Sequence, residues 1–319
     1  MENESLVLNI QDYVLLGLKE MEHLRYFYSS AALVIYLTTI LLCTLIVYVV
    51  WTEQSLHEPM YIFIGHQMGN IILCSSALLP KLVIDLLSGS STISLAACLT
   101  QAFSIQSFSA VEIISFTIMA YDRYLAVGFP LRYNSLMSNQ KVLLYLVSIW
   151  LLVLGTQLIG VMLVVRLRKC DNSIKNVYCE TMSLTRLACA STVINDAYGT
   201  TMSMLFMIGP SLIVIYCYIQ TFLTCLETSM KTNQKAIHTL VTHIIAFSIV
   251  IVSTLFVIFR YRYNSGSLST VTHVVLSMSG LTISITLHPL IYGIRMESLK
   301  AKMTDTLKET VQKTFGKSK

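Results

Sequence analysis

Cysteine is the residue type whose number and placement most clearly suggest chemistry in this chain. Of eight cysteines, four lie near polar connecting segments: Cys98, Cys170, Cys179 and Cys189. Four cysteines on one side of a protein predict two disulfide bonds, which require an oxidising compartment. They allow three pairings, and the sequence does not choose among them. The other four are expected to be small buried residues: Cys43, Cys74, Cys217 and Cys225.

The sequence contains no recognisable set of residues for catalysis or metal binding. Its seven histidines lack the spacing of metal ligands, and no His-Glu-x-x-His motif is present. No nucleophile and general base stand out together. We therefore expect no enzymatic activity, no metal and no cofactor. The modest net charge of +5 does not argue for a nucleic-acid partner.

Two charged positions are notable because of their surroundings. Glu112 is the one acid deep within the long apolar segments described next. An unpaired carboxylate in such a segment is costly, so it must be protonated, hydrated or paired. Arg123 follows Asp122 near the end of the same segment. An arginine at a helix end can pair with a neighbour and later with another acceptor.

The elements that position these residues are long apolar segments. The chain of 319 residues is 55% hydrophobic and 12% charged, about half the charge of a soluble domain. Each apolar segment exceeds the roughly 20 residues that a helix needs to cross a bilayer, and in lipid such segments form helices. We predict an all-α membrane protein, a bundle of seven helices: α1 (Tyr28–Trp51), α2 (Met60–Leu87), α3 (Ala96–Val127), α4 (Lys141–Val165), α5 (Ala197–Cys225), α6 (Lys235–Phe259) and α7 (Ser267–Ile294).

The chain accordingly divides into residues 1–27, the bundle 28–294 and a tail 295–319. Apolar residues recur in the tail at spacings of three or four: Met296, Leu299, Met303, Leu307, Val311 and Phe315. This pattern predicts a short amphipathic helix that lies on the anionic lipid of an inner leaflet. The alternative is a frayed polar tail.

Helix length predicts the orientation of the chain. Cys98 and Arg123 are separated by 25 residues, or about 37 Å of helix, which exceeds the apolar core of about 30 Å. With the disulfides outside, Arg123 lies at the cytoplasmic face, the N-terminus is outside and the tail is inside. The Asn3-Glu4-Ser5 sequon agrees with an outer N-terminus. We expect a multi-pass protein of the plasma membrane.

Several motifs, in order along the chain, resemble those of odorant receptors, a family of rhodopsin-like G-protein-coupled receptors. They are LHEPMYIFI (Leu56–Ile64), MAYDRYLAV (Met119–Val127), PLRYN (Pro130–Asn134), LACAST (Leu187–Thr192), KAIHTLVTH (Lys235–His243) and HPLIYGIR (His288–Arg295). A lone Asp-Arg-Tyr triplet would be a weak signal, whereas this ordered set from α1 to α7 is specific. The resemblance implies a receptor that binds a small odorant and activates a heterotrimeric G protein of the olfactory, cAMP-raising type.

The resemblance also implies roles for individual residues. In the family the arginine is held by its neighbouring aspartate and is released on activation, which places this role on Arg123 and Asp122. The residues implied for coupling and activation are Asp122, Arg123, Tyr124, Tyr218, His243 and Tyr292. The family's disulfide pairing implies the bonds Cys98–Cys179 and Cys170–Cys189.

The family's ligand pocket lies in the outer half of the bundle, between α3, α5, α6 and α7. In this chain the region contains Ile105, Gln106, Ser109, Met202, Phe206, Thr254, Ile258, Met278 and Leu281. The set is mostly apolar, with a few hydroxyls and one amide, as small-molecule pockets usually are. No aspartate lies in this part of α3, so we do not expect a salt bridge to an amine. The expected odorant is small and apolar or weakly polar.

Some positions depart from the family pattern. Asn70-Ile71 stands where an aspartate is expected, and His288 replaces the asparagine that normally precedes Pro289. These changes put the family's internal sodium site in doubt. Two alternatives remain for Glu112. It bonds His288 directly and replaces the ion, or it is neutral and bonds a hydroxyl such as that of Ser284.

Two other functions compete with odorant reception. One is a seven-helix receptor for a small ligand that is not an odorant. The other is a multi-pass transporter, which usually has repeat symmetry and several charges within the membrane. The chain has no visible repeat and one such acid, which favours a receptor.

Overall fold

Seven long helices make up most of the structure. The structure, a computed structural model, describes residues 12–228, 234–263, 270–296, 299–306 and 308. The helices are α1 (Arg25–Thr52), α2 (Pro59–Ser88), α3 (Leu95–Gly128), α4 (Asn139–Val165), α5 (Val193–Thr228), α6 (Gln234–Tyr263) and α7 (Thr270–Arg295). Within the described residues, six helices are long and apolar enough to cross a membrane. With α7, of 26 residues, they confirm the predicted seven-helix bundle.

The predicted helix boundaries are close to the observed ones. The largest differences are at α5, which begins four residues earlier than predicted, at Val193, and at α6, which ends four residues later, at Tyr263. The apolar segment marks only the part of a helix that lies in lipid. The helix can extend beyond the lipid through polar residues, so the length of the apolar segment underestimates the length of the helix.

Local sequence signals account for where several helices begin and end. Pro59 lies in the first turn of α2, where its missing N–H leaves no helical bond unmade. Gly89 ends α2 with φ of 68°, a left-handed conformation that glycine adopts without strain. Ser94 precedes α3, and its Oγ accepts a hydrogen bond of 3.4 Å from the N–H of Ala97, which satisfies a free donor of the first turn.

A small sheet covers the end of the bundle at which Cys98 lies, which we call the disulfide end. Its strands are β1 (Asp12–Leu15), β2 (Thr92–Ser94) and β3 (Ser173–Ile174), in the order β2-β1-β3. β1 pairs antiparallel with β2 and parallel with β3. The sheet was not predicted, because strands of two to four residues are too short for a periodic pattern.

Shorter helices complete the connections. The segment between β1 and α1 forms Leu16–Glu20 and the 3-10 turn Glu22–Leu24. Tyr133–Leu136 lies between α3 and α4, and Thr181–Arg186 lies in the long connection between α4 and α5. These elements give the connections defined positions against the bundle.

The outer surface of the bundle is apolar. In α4, Leu143, Leu151 and Leu158 are exposed, while Val142, Ile149 and Val153 are buried. A water-soluble helix would expose polar residues instead. An exposed leucine surface of this kind fits contact with lipid, as expected for a membrane-spanning helix.

The first turns of the tail pack on the bundle. Met296 and Leu299 are buried in the hydrophobic core, and Met303 packs against it. The apolar side of the predicted amphipathic segment therefore contacts the bundle at these residues, and its contact with lipid stays a prediction. Lys302 forms an ion pair of 2.8 Å with Glu53, which raises the pKa of Lys302 through their hydrogen bond and the charge of Glu53.

The rest of the predicted amphipathic pattern continues towards the C-terminus. Leu307, Val311 and Phe315 lie outside the described residues. The same holds for Asn3 of the predicted sequon.

Candidate functional site

Two disulfide bonds join the connections at the disulfide end. Cys98 at the start of α3 bonds Cys179, and Cys170 bonds Cys189. Of the three pairings that the cysteine count allows, this is the one that the family resemblance implies. The four cysteines within the helices are free and buried, as expected for small core residues.

Two glutamines also bind the long α4–α5 connection to α3. The N–H of Cys179 donates to Oε1 of Gln101 at 2.9 Å, and Nε2 of Gln101 donates to the carbonyl of Ala77 at 3.3 Å. Five residues further along α3, Nε2 of Gln106 donates to Oγ1 of Thr181 at 2.6 Å. The connection therefore lies over the predicted ligand region of α3. Sequence reasoning found Gln106 but not Thr181, since no spacing rule relates residues 75 positions apart.

The structure places the predicted ligand residues on the four expected helices. On α3, Ile105 is buried, and Gln106 and Ser109 are partly buried. On α5, Phe206 is buried and Met202 is partly buried. These five side chains are therefore turned at least partly inward, as a ligand region requires.

On α6 and α7, the predicted residues Thr254 and Met278 are both partly buried. The Thr254 hydroxyl donates to the carbonyl of Val250 in its own helix at 2.8 Å. Met278 packs against the hydrophobic cluster at the disulfide end that also contains Ile105. The side chains of Ile258 and Leu281 lie outside the described part of the chain. The structure thus brings Ile105 and Met278 into one cluster.

A separate cavity of about 330 Å³ opens at the disulfide end, between the N-terminal segment and α2. Its lining includes Lys19, Glu22, Arg25 and Asp85, and none of the predicted ligand residues. Pockets for small apolar ligands are lined mainly by apolar and aromatic side chains. The charged lining therefore does not suit the expected odorant.

A polar contact crosses the middle of the bundle. Oε1 of Glu112 lies 2.8 Å from Nδ1 of His288 and accepts a hydrogen bond of 3.0 Å from Oγ of Ser284. The His288 side chain is fully buried, and that of Glu112 is 13% exposed. Nδ1 makes no hydrogen bond to the described residues, so the distance of 2.8 Å records a close approach of the two groups.

Proton placement determines whether this contact is attractive. Nε2 of His288 lies 3.2 Å from the carbonyl of Ala246, so Nε2 must carry hydrogen to bond that acceptor. One further proton is then needed between Nδ1 and the carboxyl group of Glu112. The pair is either an imidazolium beside a carboxylate or a neutral imidazole beside a carboxylic acid.

The neighbouring part of α2 differs from the family pattern. Ile71 is 2% exposed and places hydrocarbon near the position of the expected aspartate. Nδ2 of Asn70 donates to the backbone carbonyl of Phe108 at 2.9 Å, so this amide binds α3. Among the described residues, no group of three or more His, Cys, Asp or Glu side chains is placed to hold a metal ion.

At the opposite end of α3, which we call the Arg123 end, one carboxylate has two partners. Nη2 and Nε of Arg123 donate to Oδ2 of Asp122 at 2.6 and 3.0 Å. The hydroxyl of Tyr133 donates to Oδ1 at 2.7 Å. The Asp122 side chain is fully buried, whereas that of Arg123 is 17% exposed. Arg123 is thus held by Asp122 but remains within reach of solvent.

The other predicted coupling residues occupy three helices. The hydroxyl of Tyr292 in α7 and Nδ1 of His243 in α6 are 3.3 Å apart, and both side chains are buried. Tyr218 in α5 is buried, and its hydroxyl has no hydrogen-bond partner within the described part of the chain. Tyr124 packs against the ring of Tyr216 at 6.1 Å. The structure therefore joins His243 to Tyr292 and Asp122 to Arg123, as two separate pairs.

Known proteins resemble this chain over most of its length. The family described as "Olfactory receptor" matches residues 32–310. Olfactory receptor 1496 of Rattus norvegicus is 31% identical, with 91% of this chain and 94% of the relative covered. Olfactory receptor 1E1 of Pan troglodytes is 31% identical, with 96% and 97% covered. The crystal structure of squid rhodopsin superposes with a TM-score of 0.70 at 16% identity, covering 90% of this chain and 87% of that one. That structural likeness supports the fold alone.

Proposed function

Because the chain belongs to the olfactory receptor family, and is an odorant receptor that signals through a G protein rather than an enzyme, we propose residue-level roles for its two ends. The odorant binds at the disulfide end, and the G protein is engaged at the Arg123 end. The proposal rests on one observation. The single helix α3 carries Gln106 under the α4–α5 connection at one end and the Asp122–Arg123 pair at the other.

The orientation follows from the chemistry of the two ends. Disulfide bonds persist in oxidising surroundings, so the disulfide end faces outward and the N-terminus lies outside. The Arg123 end and the tail then face the cytoplasm. This orientation puts the N-terminus on the side of the membrane where N-glycosylation takes place, and the tail on the side of the inner leaflet.

The proposed odorant site is formed by the predicted residues on α3, α5, α6 and α7, including Ile258 and Leu281. Inward-facing apolar residues such as Ile105 and Phe206 provide contact area for a small apolar molecule. The Gln106 amide and the Thr181 hydroxyl provide polar groups that select among odorants. The ligand is a small, mostly apolar molecule with at most a weakly polar group.

Coupling in this proposal depends on release of Arg123. Asp122 holds the guanidinium with two hydrogen bonds, and activation transfers Arg123 to acceptors on the G protein. The Tyr218 hydroxyl is buried and makes no hydrogen bond to the described residues, so its oxygen can accept a hydrogen bond from Arg123 when the helices rearrange. The proposed G protein is the stimulatory olfactory type.

Glu112 and His288 form the proposed internal lock. Their contact joins α3 to α7 in the position where the family has a sodium site. A contact between two helices that breaks on rearrangement favours the state in which it is made. We assign that state as the inactive one.

A cellular cAMP assay tests the proposal. Cells expressing the chain with a stimulatory olfactory G protein are exposed to a panel of small volatile molecules, and surface receptor is quantified by antibody. At least one apolar odorant should raise cAMP in a dose-dependent way, and Arg123→Ala should remove the response. Silence toward the whole panel at normal surface expression would contradict the proposed function.

A further inference from the structure

The charged cavity at the disulfide end carries unpaired charges of both signs. Lys19, Glu22 and Arg25 line it, and none of the three forms an ion pair with a described residue. Asp85 also lines the cavity, but Nζ of Lys81 donates to both of its carboxylate oxygens, at 3.0 and 2.8 Å. The charge of Asp85 is therefore already compensated. Two cations and one acid of the described lining are left to bind a ligand.

The Arg25 guanidinium has a defined position at the wall of this cavity. Its Nη2 donates to the hydroxyl of Tyr26 at 3.0 Å, and its Cζ lies 4.8 Å from the centre of the Tyr26 ring. Gly89 lies close by, and a Cβ atom there would come within 3.3 Å of Nη1, so the missing side chain makes room for the guanidinium. A guanidinium presents its N–H donors in a planar fork that matches the two oxygens of a carboxylate. Arg25 is therefore placed to bind the carboxylate of a ligand.

The rest of the lining is partly apolar. Leu18 and Leu86 line the cavity and pack in the hydrophobic cluster at the disulfide end, so they provide contact for a short hydrocarbon group. The volume of about 330 Å³ is at the lower end of the range of small-molecule sites, about 300–1,000 Å³. The lining therefore fits a small molecule that carries both charges and a short apolar group.

We propose that this cavity is a second ligand site, for a small zwitterion of the amino-acid class with an apolar side chain. The carboxylate binds Arg25 and Lys19, the ammonium group binds Glu22, and the side chain contacts Leu18 and Leu86. These charges complement those of the lining, whereas an uncharged odorant leaves all of them without a partner. In the proposed orientation the site faces the aqueous medium outside the cell.

Backbone hydrogen bonds join the cavity to the α4–α5 connection. The N–H of Leu15 donates to the carbonyl of Ser91, a cavity residue, at 2.7 Å. Two residues further, the N–H of Gly17 donates to the carbonyl of Asn176 at 3.3 Å. The N-terminal segment is therefore bonded both to the wall of the cavity and to the α4–α5 connection.

Asn176 lies close in sequence to the part of the connection that covers the proposed odorant site. Its Nδ2 donates to Oε1 of Glu180 at 2.7 Å, and Glu180 precedes Thr181, the hydrogen-bond partner of Gln106. A zwitterion that orders the N-terminal segment lowers the entropic cost of ordering the connection when an odorant binds. Resting on the proposed function, the second site thus raises odorant affinity, and an odorant raises the affinity for the zwitterion by the same factor.

Ligand-observed NMR on purified receptor in lipid nanodiscs tests the site, with L-leucine as the probe and empty nanodiscs as the blank. Because exposed charge pairs contribute little individually, we expect weak binding, with Kd on the order of 0.1–1 mM. Arg25→Gln should raise this Kd at least roughly tenfold, the factor for losing a charge-assisted hydrogen bond. Glu22→Gln should also raise it, since the ammonium group loses its charged partner.

Matched variants and probes control for charge and for folding. Glu20→Gln removes an exposed acid of the same segment, and Arg166→Gln removes an exposed arginine at the same end of the bundle. Neither residue lines the cavity, so both variants should bind L-leucine as the wild type does. L-leucinamide lacks the carboxylate and N-acetyl-L-leucine lacks the ammonium group. Each should bind the wild type at least roughly tenfold more weakly than L-leucine.

The cellular cAMP assay, run in leucine-free buffer, tests the effect on odorant binding. A mixture of medium-chain aliphatic alcohols and aldehydes serves as the odorant. Saturating L-leucine should lower its half-maximal concentration at least roughly fivefold, the lower end of allosteric coupling. In Arg25→Gln at equal surface expression, L-leucine should leave this concentration unchanged.

The outcomes separate this site from the proposed function. Absence of L-leucine binding to the wild type, equal binding by Arg25→Gln and Glu22→Gln, or a loss of binding in Glu20→Gln or Arg166→Gln overturns the site. Equal binding of N-acetyl-L-leucine overturns the zwitterion as its ligand. Unchanged odorant sensitivity in a receptor that binds L-leucine and responds to odorant overturns the coupling. A receptor that binds L-leucine but never raises cAMP contradicts the proposed function, and the second site then stands without it.

Discussion

Glu112 in α3 and His288 in α7 lie in direct contact, with Oε1 and Nδ1 2.8 Å apart. The same Oε1 accepts the hydroxyl of Ser284, one helical turn away on α7, at 3.0 Å. The contacts of Glu112 with His288 and with Ser284, which the sequence left as alternatives, are thus present together. One carboxyl group joins two residues of α7 to α3, so a change at Glu112 should alter how firmly these helices are held.

Glu112→Gln should raise basal signalling. The amide keeps the shape of the side chain but cannot form an ion pair with His288. Basal cAMP per surface receptor should rise at least roughly fivefold, the factor that about 1 kcal/mol of lost contact gives in a two-state equilibrium. Ser284→Ala, which removes one hydrogen bond and leaves the pair, should raise it less. Unchanged basal cAMP in Glu112→Gln would count against the lock. So would a strong dependence of odorant binding on sodium concentration in the wild-type receptor.

Arg123→Ala should abolish odorant-driven cAMP without lowering odorant binding. About 37 Å of helix separates Arg123 from Cys98, so the ligand region should not sense the change. Signalling should fall to the level of cells without receptor at equal surface expression. Arg166→Ala is the control, because it removes an exposed arginine at the disulfide end of α4. Full signalling by Arg123→Ala would refute its coupling role.

The two disulfides should differ in their effect on stability. They close loops of 81 and 19 residues, for which chain entropy predicts about 4.5 and about 3 kcal/mol. Cys98→Ser should therefore lower the melting temperature of purified receptor more than Cys189→Ser. Peptide mapping without reduction should recover Cys98 with Cys179. A Cys98–Cys170 or Cys98–Cys189 peptide would show that the pairing is wrong.

Gln106→Leu should change which odorants are detected. The substitution removes an amide from the proposed site and leaves Thr181 without its bond of 2.6 Å. For hydrogen-bonding odorants, the concentration that gives a half-maximal response should rise roughly tenfold, which corresponds to the loss of one hydrogen bond. Thr181→Val should have a similar effect, and the double variant should be little worse than either.

The control for this prediction lies on the same helix. Thr100→Val removes a hydroxyl that bonds the carbonyl of Ala96 in its own helix and that lies outside the proposed site. Its odorant profile across the panel should match the wild type. If Gln106→Leu also leaves the profile unchanged, Gln106 has no part in odorant selection.

The sequence by itself determined the seven helices, because the length of an apolar segment is a local property. A segment long enough to cross the bilayer must form a helix in lipid to satisfy its backbone hydrogen bonds. It also identified the Asp122–Arg123 pair, since the two residues are adjacent and lie at a helix end. The family motifs, such as MAYDRYLAV at Met119–Val127, are equally local. What these features share is that no distant residue is needed to recognise them.

Only the tertiary structure decided contacts between distant segments. Glu112 in α3 and His288 in α7 are 176 positions apart, and no spacing rule relates them, yet their side chains meet within the bundle. Tyr133 and Asp122, and Thr181 and Gln106, are likewise joined by folding of the connections. The strand Asp12–Leu15 forms because two distant segments supply its partners. Such contacts depend on the relative positions of the helices. The packing of the whole bundle determines these positions, so a local sequence pattern does not predict them.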